Sequence, residues 1–235
     1  MGSKRAFGRA RSVEIPTIEC VFMVEENPDW DPENWADEAP PDSNLALSLQ
    51  GIDYPFAHAV ADVVDNSISH GKAENVWIEV SAYRGDNFAP YVAIIDDGEG
   101  MSPEELYQAI TYGIFKEYDE MSLGKFGLGM KTASLSQSEV LTVCSRTDAD
   151  SDFHCLTWDM NFFRSRKAGG RWIPLKTSIA NIPEEVLDYI SEGTGTIVFW
   201  SDLNKMIPGI YEKNEGVVSQ QLEARIRKAD SHLGM

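Results

Sequence analysis

Three short segments of the chain carry side chains that could hold a nucleotide or a metal ion. The first is ADVVDNS, residues 61–67, in which a carboxylate and an amide, Asp62 and Asn66, stand four positions apart. On a helix such residues share one face, so their oxygens could together hold a metal ion and a water molecule. The same spacing also occurs on the polar outer face of an ordinary helix, so this segment is not specific by itself.

The second segment is IIDDGEGM, residues 94–101, where an apolar run leads directly into Asp96. A carboxylate at the end of a strand is a good acceptor for an exocyclic amino group. Gly98 and Gly100 follow, and glycine lets a backbone turn and approach a ligand without a Cβ clash. The alternative interpretation is an ordinary Asp-Asp-Gly turn.

The third segment is GKFGLGMKTAS, residues 124–134, in which glycines precede a predicted helix whose first turn carries Lys131 and Thr132. Unpaired amides at a helix N-terminus, together with an ammonium group, form an anion site. The spacing differs from the GxxxxGK[ST] pattern of a P-loop. The alternative is a flexible, glycine-rich hinge. The three glycines are Gly124, Gly127 and Gly129.

The overall composition narrows the classes of function. The 235 residues include 20 Lys+Arg and 38 Asp+Glu, a net charge of −18. Phosphate neutralisation needs clustered Lys and Arg, so this segment alone is not expected to grip nucleic acid. No apolar run approaches the roughly 18 residues of a membrane helix, and no secretory signal is visible. We therefore expect a cytoplasmic protein without a membrane contact.

The cysteines do not indicate a metal site or a disulfide framework. Cys20, Cys144 and Cys155 are an odd number with wide spacing and no CxxC pair. The plain expectation is free thiols in a reducing compartment.

The hydrophobic periodicity, together with the turn and capping residues, predicts interleaved helices and strands. Helices are predicted at 55–69, 102–110, 128–138, 183–191 and 218–233, and strands at 16–25, 77–83, 91–96, 140–147, 153–160 and 194–203. The regular βαβ rhythm of a doubly wound fold is absent. An α/β (α+β) two-layer sandwich, with helices packed on one face of a mixed, mostly antiparallel sheet, fits this order best.

The order and spacing of the three segments resemble the GHKL superfamily. This is the Bergerat-type ATP-binding fold shared by DNA gyrase B subunits, the large ATP-driven heat-shock chaperone, histidine kinases and MutL mismatch-repair proteins. Within the superfamily, the chain looks closest to the microrchidia and chaperone-like branch of prokaryotic ATPases. The resemblance covers roughly residues 45–203.

The resemblance implies roles for individual residues in binding ATP and Mg²⁺. Asp62 would polarise the attacking water as the general base, and Asn66 would ligate magnesium. Asp96 would accept from the adenine amino group in the DxGxG motif that Gly98 and Gly100 complete, and Met101 would line the base.

The same resemblance assigns the later motifs. Gly124, Gly127 and Gly129 would form the lid and hinge, and Lys131 would reach the phosphates beside Thr132. A late Gly-Thr pair, Gly195 and Thr196, would support the adenine-bound water, with Thr194 as an alternative.

Two departures from the family pattern bear on turnover. The usual general base is Glu, and Asp62 is one methylene shorter, which is compatible with slow turnover or with binding without efficient hydrolysis. Where the family often has Asp three residues after the Asn, this chain has Ser69.

The expected organisation is an N-terminal arm (1–45), an ATP-binding domain (46–205) and a helical linker (206–235) toward a further domain. We expect Mg-ATP to close residues 102–126 as a lid, the arm to cross to a second subunit, and an ATP-bound homodimer to form. A DNA or protein client would be engaged through other domains, and the chain would be one part of a longer or split system.

Two alternatives remain. A histidine kinase catalytic domain shares the glycine motifs, but no preceding helical pair with an acceptor His is visible. A nucleotide-sensing or scaffold module without efficient hydrolysis is compatible with Asp62 in the place of Glu.

Overall fold

A six-stranded sheet organises the protein. The computed structural model describes residues 51, 54–111, 129–165 and 174–233. The strands are β1 (Val76–Arg84), β2 (Asn87–Asp96), β3 (Val140–Arg146), β4 (His154–Asp159), β5 (Leu175–Thr177) and β6 (Gly195–Ser201). Their order across the sheet is β1-β2-β6-β3-β4-β5, and each neighbouring pair is antiparallel. The sheet is therefore antiparallel throughout the described residues, rather than mixed.

Six α-helices accompany this sheet in the described ranges. They are α1 (Phe56–Ser69), α2 (Pro103–Ile110), α3 (Gly129–Gln137), α4 (Met160–Arg164), α5 (Glu184–Leu187) and α6 (Glu215–Leu233). Three short 3₁₀ turns are at Ile179–Asn181, Asp188–Ile190 and Ile210–Glu212. The predicted two-layer α/β sandwich is confirmed.

The main core lies between the long helices and one face of the sheet. Helix α1 buries Val60 and Val63 there, and the central strands contribute alternate residues, because successive side chains of a strand point to opposite faces. Trp158 and Trp200 are fully buried in this layer. The other members from β2, β3 and β6 are Val92, Ile94, Leu141, Val143 and Val198.

A smaller core covers the opposite face. The alternate residues of β2 and β6 pack there against side chains from the 179–190 segment, namely Ile182, Val186 and Ile190. Strand β2 is buried on both faces for this reason, and its sequence from Tyr91 to Ile95 is continuously apolar. The predicted helix at 183–191 is in fact α5 followed by a 3₁₀ turn.

Helix α2 begins as its sequence predicts. The Ser102 hydroxyl accepts from the Glu105 amide at 3.3 Å, and the Glu105 carboxylate accepts from the Ser102 amide at 2.9 Å. This reciprocal capping box, with Pro103 in the first turn, satisfies amides that would otherwise lack partners.

The expectation of free thiols is wrong for two of the cysteines. Cys144 and Cys155 are directly paired residues of β3 and β4, with Cα atoms 4.1 Å apart, and they form a cross-strand disulfide. Sequence spacing does not reveal such a pair, because the strand register brings the two residues together. Cys20 lies outside the described residues.

The final helix packs on the sandwich rather than extending away from it. Helix α6 lies against α1 and β1 and buries Val218, Leu222 and Ala229. The helix itself is confirmed, and its role as a linker stays a prediction. Among the helices in the described ranges, none has the length and apolar character needed to cross a membrane.

Candidate functional site

Asp96 is the centre of a buried polar network at the end of β2. Its side chain is only 4% exposed. One oxygen, Oδ1, accepts from the Gly98 amide at 3.1 Å and from the Thr196 amide at 3.2 Å. The other, Oδ2, accepts from the Ser67 hydroxyl at 2.8 Å. A carboxylate has about four acceptor directions, so these contacts leave a direction on Oδ2 for a further donor.

The electrostatics of Asp96 combine opposing effects. Burial raises the pKa of the Asp96 carboxyl, whereas the bonds from Ser67, Gly98 and Thr196 act to lower it. Hydrogen bonds donated to a carboxylate favour its ionised form. The three donors therefore offset part of the desolvation cost and hold the group as an acceptor.

Ser145 ties the strand bearing Thr196 to the backbone at Met101. The Ser145 hydroxyl accepts from the Met101 amide at 2.8 Å and donates to the Gly195 carbonyl at 3.0 Å. It also lies 2.9 Å from the Thr196 hydroxyl. Since the Ser145 proton is used on Gly195, Thr196 is the donor in this last contact. The lone pairs of Thr196 then remain available as acceptors.

The two candidate threonines have different positions. Thr196 pairs with Asp96 in the β2–β6 register. Thr194 instead donates its hydroxyl proton to the Gly98 carbonyl at 2.7 Å. Thr194 thus fixes the glycine turn, and Thr196 is the threonine next to the carboxylate.

Arg146 holds the segment that leads into β6. Its buried guanidinium donates to the carbonyls of Ile190, Ser191 and Gly193 at 2.7 to 2.8 Å. It also lies over the Phe153 ring, 4.4 Å from the centroid. These contacts position the backbone that carries Thr194 and Thr196.

The glycines of the DxGxG turn are required by neighbouring protein backbone. A Cβ atom at Gly98 would lie 2.3 Å from the Gly71 carbonyl oxygen. Gly100 has a φ of +70°, and a Cβ there would lie 1.9 Å from the Arg146 carbonyl oxygen. The sequence predicted glycine for close approach to a ligand. In this structure the close approach is to the turn after α1 and to the end of β3.

Asp62 and Asn66 lie one turn apart on α1, as predicted. Both side chains are partly exposed. The Tyr54 phenol donates to Oδ2 of Asp62. That bond is the largest cause of the raised pKa of Tyr54, about 12, and burial and the Asp62 charge add to it. The Tyr54 carbonyl accepts from Nε2 of Gln137 at 2.6 Å.

Lys131 lies inside the protein, 2% exposed. Its ammonium donates to the carbonyls of Ala109 and Thr111, at 3.0 and 2.6 Å, at the C-terminal end of α2. Burial lowers the pKa of Lys131 to about 8. The phosphate role stays a prediction, and it requires Lys131 to exchange these carbonyls for phosphate oxygens.

The structure brings one group of the predicted residues together around Asp96. Gly98 and Thr196 bond to Asp96 directly, and Met101 is joined to Thr196 through Ser145. Gly100 lies in the same turn, against the Arg146 carbonyl. Gly129 and Thr132 lie in the first turn of α3, outside that network. Gly124 and Gly127 fall outside the described residues.

Sequence reasoning missed several partners of the predicted residues. Ser67 occupies the core-facing position of α1, seven residues after Val60, and Ser145 follows Leu141 and Val143 in the inward alternation of β3. A polar residue in a buried periodic position is the signal that would have identified both. Tyr54 and Gln137 carry no comparable local signal.

The donor chemistry of α1 suits a hard cation. Magnesium binds carboxylate, carbonyl and water oxygens, and it usually keeps several waters and substrate phosphates as ligands. Within the part of the chain that the structure describes, no group of three or more His, Cys, Asp or Glu could hold a metal ion. Asn66 supplies an amide oxygen on the same face of α1, and its role as a magnesium ligand stays a prediction.

Comparison with known proteins extends this picture. The model of the family described as histidine kinase-, DNA gyrase B-, and HSP90-like ATPases matches residues 54–194. The Arabidopsis thaliana protein MICRORCHIDIA 3 is 26% identical over 87 residues, which are 36% of this chain and 15% of that protein. The chain thus matches only a small part of that relative's length.

Proposed function

Because the chain belongs to the family of histidine kinase-, DNA gyrase B-, and HSP90-like ATPases, we propose that it binds Mg-ATP at the Asp96 network and hydrolyses it. The single observation that carries the proposal is the arrangement of Asp96. Three internal donors hold a buried carboxylate with an acceptor direction on Oδ2 to spare.

The remaining acceptor direction suits adenine rather than guanine. The exocyclic N6 amino group of adenine is a donor, whereas guanine presents an acceptor, O6, at the equivalent position. An ionised carboxylate can pair with the first and repels the second. Thr196, whose lone pairs remain available, would hold the water beside the base, and Met101 would line the ring.

The reacting end of the nucleotide would lie along α1. Asn66 would hold Mg²⁺, which when bound neutralises phosphate charge. Asp62 would orient the attacking water and accept its proton. With one methylene fewer than the usual Glu, Asp62 reaches less far, and we expect slow turnover. Lys131, beside Thr132 in the first turn of α3, would join the phosphates after leaving its carbonyl partners.

The conformational part of the proposal concerns segments around this site. Residues 102–126 would close as a lid, and residues 1–45 would cross to a second copy in an ATP-bound homodimer. A DNA or protein client would be engaged through further domains. Residues 112–126 and 1–45 lie outside the described ranges, so sequence and family membership alone support this part.

The second candidate is a nucleotide-sensing or scaffold module that binds ATP without efficient hydrolysis. One observation favours it: the acid at this position is Asp62, one methylene shorter than the usual Glu. Phosphate release by the wild-type chain, compared with that of Asp62→Asn, separates the two candidates. An ATPase would retain binding and lose turnover in this variant, whereas a sensing module would show no turnover to lose.

The test of binding is isothermal titration of the full chain with ADP and a non-hydrolysable ATP analogue, with and without Mg²⁺. We expect Mg²⁺-dependent binding that Asp96→Asn removes. Asp97→Asn is the matched control, because Asp97 is the adjacent acid and bonds instead to the backbone and side chain of the 74–75 turn. No binding at millimolar nucleotide, or equal loss in both variants, would overturn the proposal.

A further inference from the structure

We propose that Tyr54 is a positioning residue for hydrolysis, whose phenol holds the Asp62 carboxylate so that its other oxygen faces the attacking water. This inference rests on the proposed function and extends it to a residue outside the three sequence motifs. The phenol donates to Oδ2 of Asp62. Oδ1 is then the oxygen that would accept the proton of the water.

The phenol is suited to remain a donor. Its pKa is raised to about 12, so the hydroxyl keeps its proton at any pH at which the protein would work. A protonated phenol can donate to a carboxylate without competing for the proton of the water. Tyr54 therefore acts through Asp62 rather than as a base itself.

The backbone of Tyr54 is fixed from the opposite side of the site. Gln137, the last residue of α3 and only 4% exposed, donates from Nε2 to the Tyr54 carbonyl at 2.6 Å. Pro55 follows directly and restricts the backbone of the preceding residue. The Tyr54 ring packs against the main core. Tyr54 thus links α1 to α3: its phenol bonds to Asp62, and its backbone carbonyl accepts from Gln137.

Because the side chain of Asp62 is short, the rate of the proposed reaction depends strongly on how its carboxylate is oriented. A general base must be held close to its productive geometry, and misplacement of about 1 Å can cost on the order of a hundredfold in rate. A carboxylate held at one oxygen by an anchored donor keeps a single orientation. The opposite possibility is that the phenol covers Asp62 and slows the reaction.

The test compares Tyr54→Phe with Tyr83→Phe in the full chain. Tyr83 is a matched control, because its phenol also donates to a carboxylate, that of Glu215, at 2.8 Å, but on the β1–β2 hairpin. We measure kcat by phosphate release and the Kd of the ATP analogue by titration. Tyr54→Phe should lower kcat at least about tenfold and leave Kd within about twofold, and Tyr83→Phe should change neither.

A second readout separates positioning from a general structural effect. The residual kcat of Asp62→Asn, measured at high enzyme concentration, should not fall further when Tyr54→Phe is added, because the phenol has no carboxylate left to orient. Gln137→Met, which removes the donor to the Tyr54 carbonyl, should lower kcat by a smaller factor at unchanged Kd. This variant keeps the idea testable if Tyr54→Phe fails to fold.

The outcomes distinguish this role from the proposed function. A wild-type chain that hydrolyses ATP while Tyr54→Phe has unchanged or higher kcat overturns the positioning role and leaves the ATPase intact. Additive losses in the double variant overturn it as well. A wild-type chain that binds nucleotide without turnover removes hydrolysis itself, and the role of Tyr54 with it.

Discussion

Replacement of Asp96 by Asn is the sharpest perturbation of the proposed base site. The amide has the shape of the carboxylate, and its Oδ1 can still accept from Gly98 and Thr196. Its Nδ2 would take the position of Oδ2 and donate to the Ser67 hydroxyl, which can reverse its role. The internal network is therefore retained, and only the group facing the ligand changes from acceptor to donor.

The size of the effect follows from the contact that is lost. A hydrogen bond to a charged acceptor contributes about 1.5–3 kcal/mol, and a buried donor left without a partner costs about 1–3 kcal/mol. In Asp96→Asn the adenine amino group and Nδ2 are two donors facing each other. Together the terms give about 2.5–6 kcal/mol, or about two to four orders of magnitude in Kd.

The assay is titration of wild type and Asp96→Asn with ADP and with inosine diphosphate. Hypoxanthine carries a carbonyl oxygen where adenine carries the amino group, so the new amide can donate to it. We expect ADP affinity to fall as calculated and the preference to move toward inosine diphosphate. An Asp96→Asn protein that binds ADP within about threefold of wild type would refute the assignment of Asp96 to the base.

Three further predictions follow from the same structure. Adenosine, which lacks phosphates, should bind only while Asp96 is ionised. Burial raises the pKa of Asp96. As the pH is lowered, the adenosine affinity measured by titration should therefore begin to fall at a higher pH than an ordinary Asp would give. Gly100→Ala should lower the urea-derived unfolding free energy by at least about 2 kcal/mol, since its φ is +70° and a Cβ would meet the Arg146 carbonyl. Gly129→Ala, at a helical position with open space around the Cβ, should be tolerated or stabilising by up to about 1 kcal/mol; equal losses in both variants would contradict this. The pKa of Lys131 is about 8 in the folded protein, against 10.5 for the ordinary side chain. Between these two pH values the unfolded chain binds more protons than the folded chain. Lys131 therefore adds a contribution to the unfolding free energy that rises with pH over this interval. Denaturation of Lys131→Met should lack that rise, and parallel pH profiles for the two proteins would disprove it.

Much of the fold was predictable because its elements carry local signals. Helix α1 follows Pro55 and repeats apolar residues at helical spacing, and α2 has a cap and an N-terminal proline. Strand β2 is an apolar run that ends at a carboxylate. Such patterns depend on neighbours within a turn or a pleat, so they can be recognised in the sequence alone.

The elements that were not predicted depend on tertiary contacts or on very short signals. Strand β5 has three residues and exists through its pairing with β4. Helix α4 has five residues and begins where Asp159 accepts from the amides of Asn161 and Phe162. The predicted strand at 153–160 continues into its first residue. Elements of three to five residues are too short to show a hydrophobic periodicity, so the sequence does not distinguish them from their neighbours.

By itself, the sequence determined the residue types of the site and their order along the chain. The sequence alone shows an acid four residues before Asn66, a carboxylate at the end of β2 and the glycines around it. Only the tertiary structure decided which groups hold them. Ser67 reaches Asp96 across 29 positions, and Ser145 reaches Thr196 across 51. The register of β2, β6 and β3 and the packing of α1 set these contacts, and both are properties of the assembled sheet rather than of any local segment.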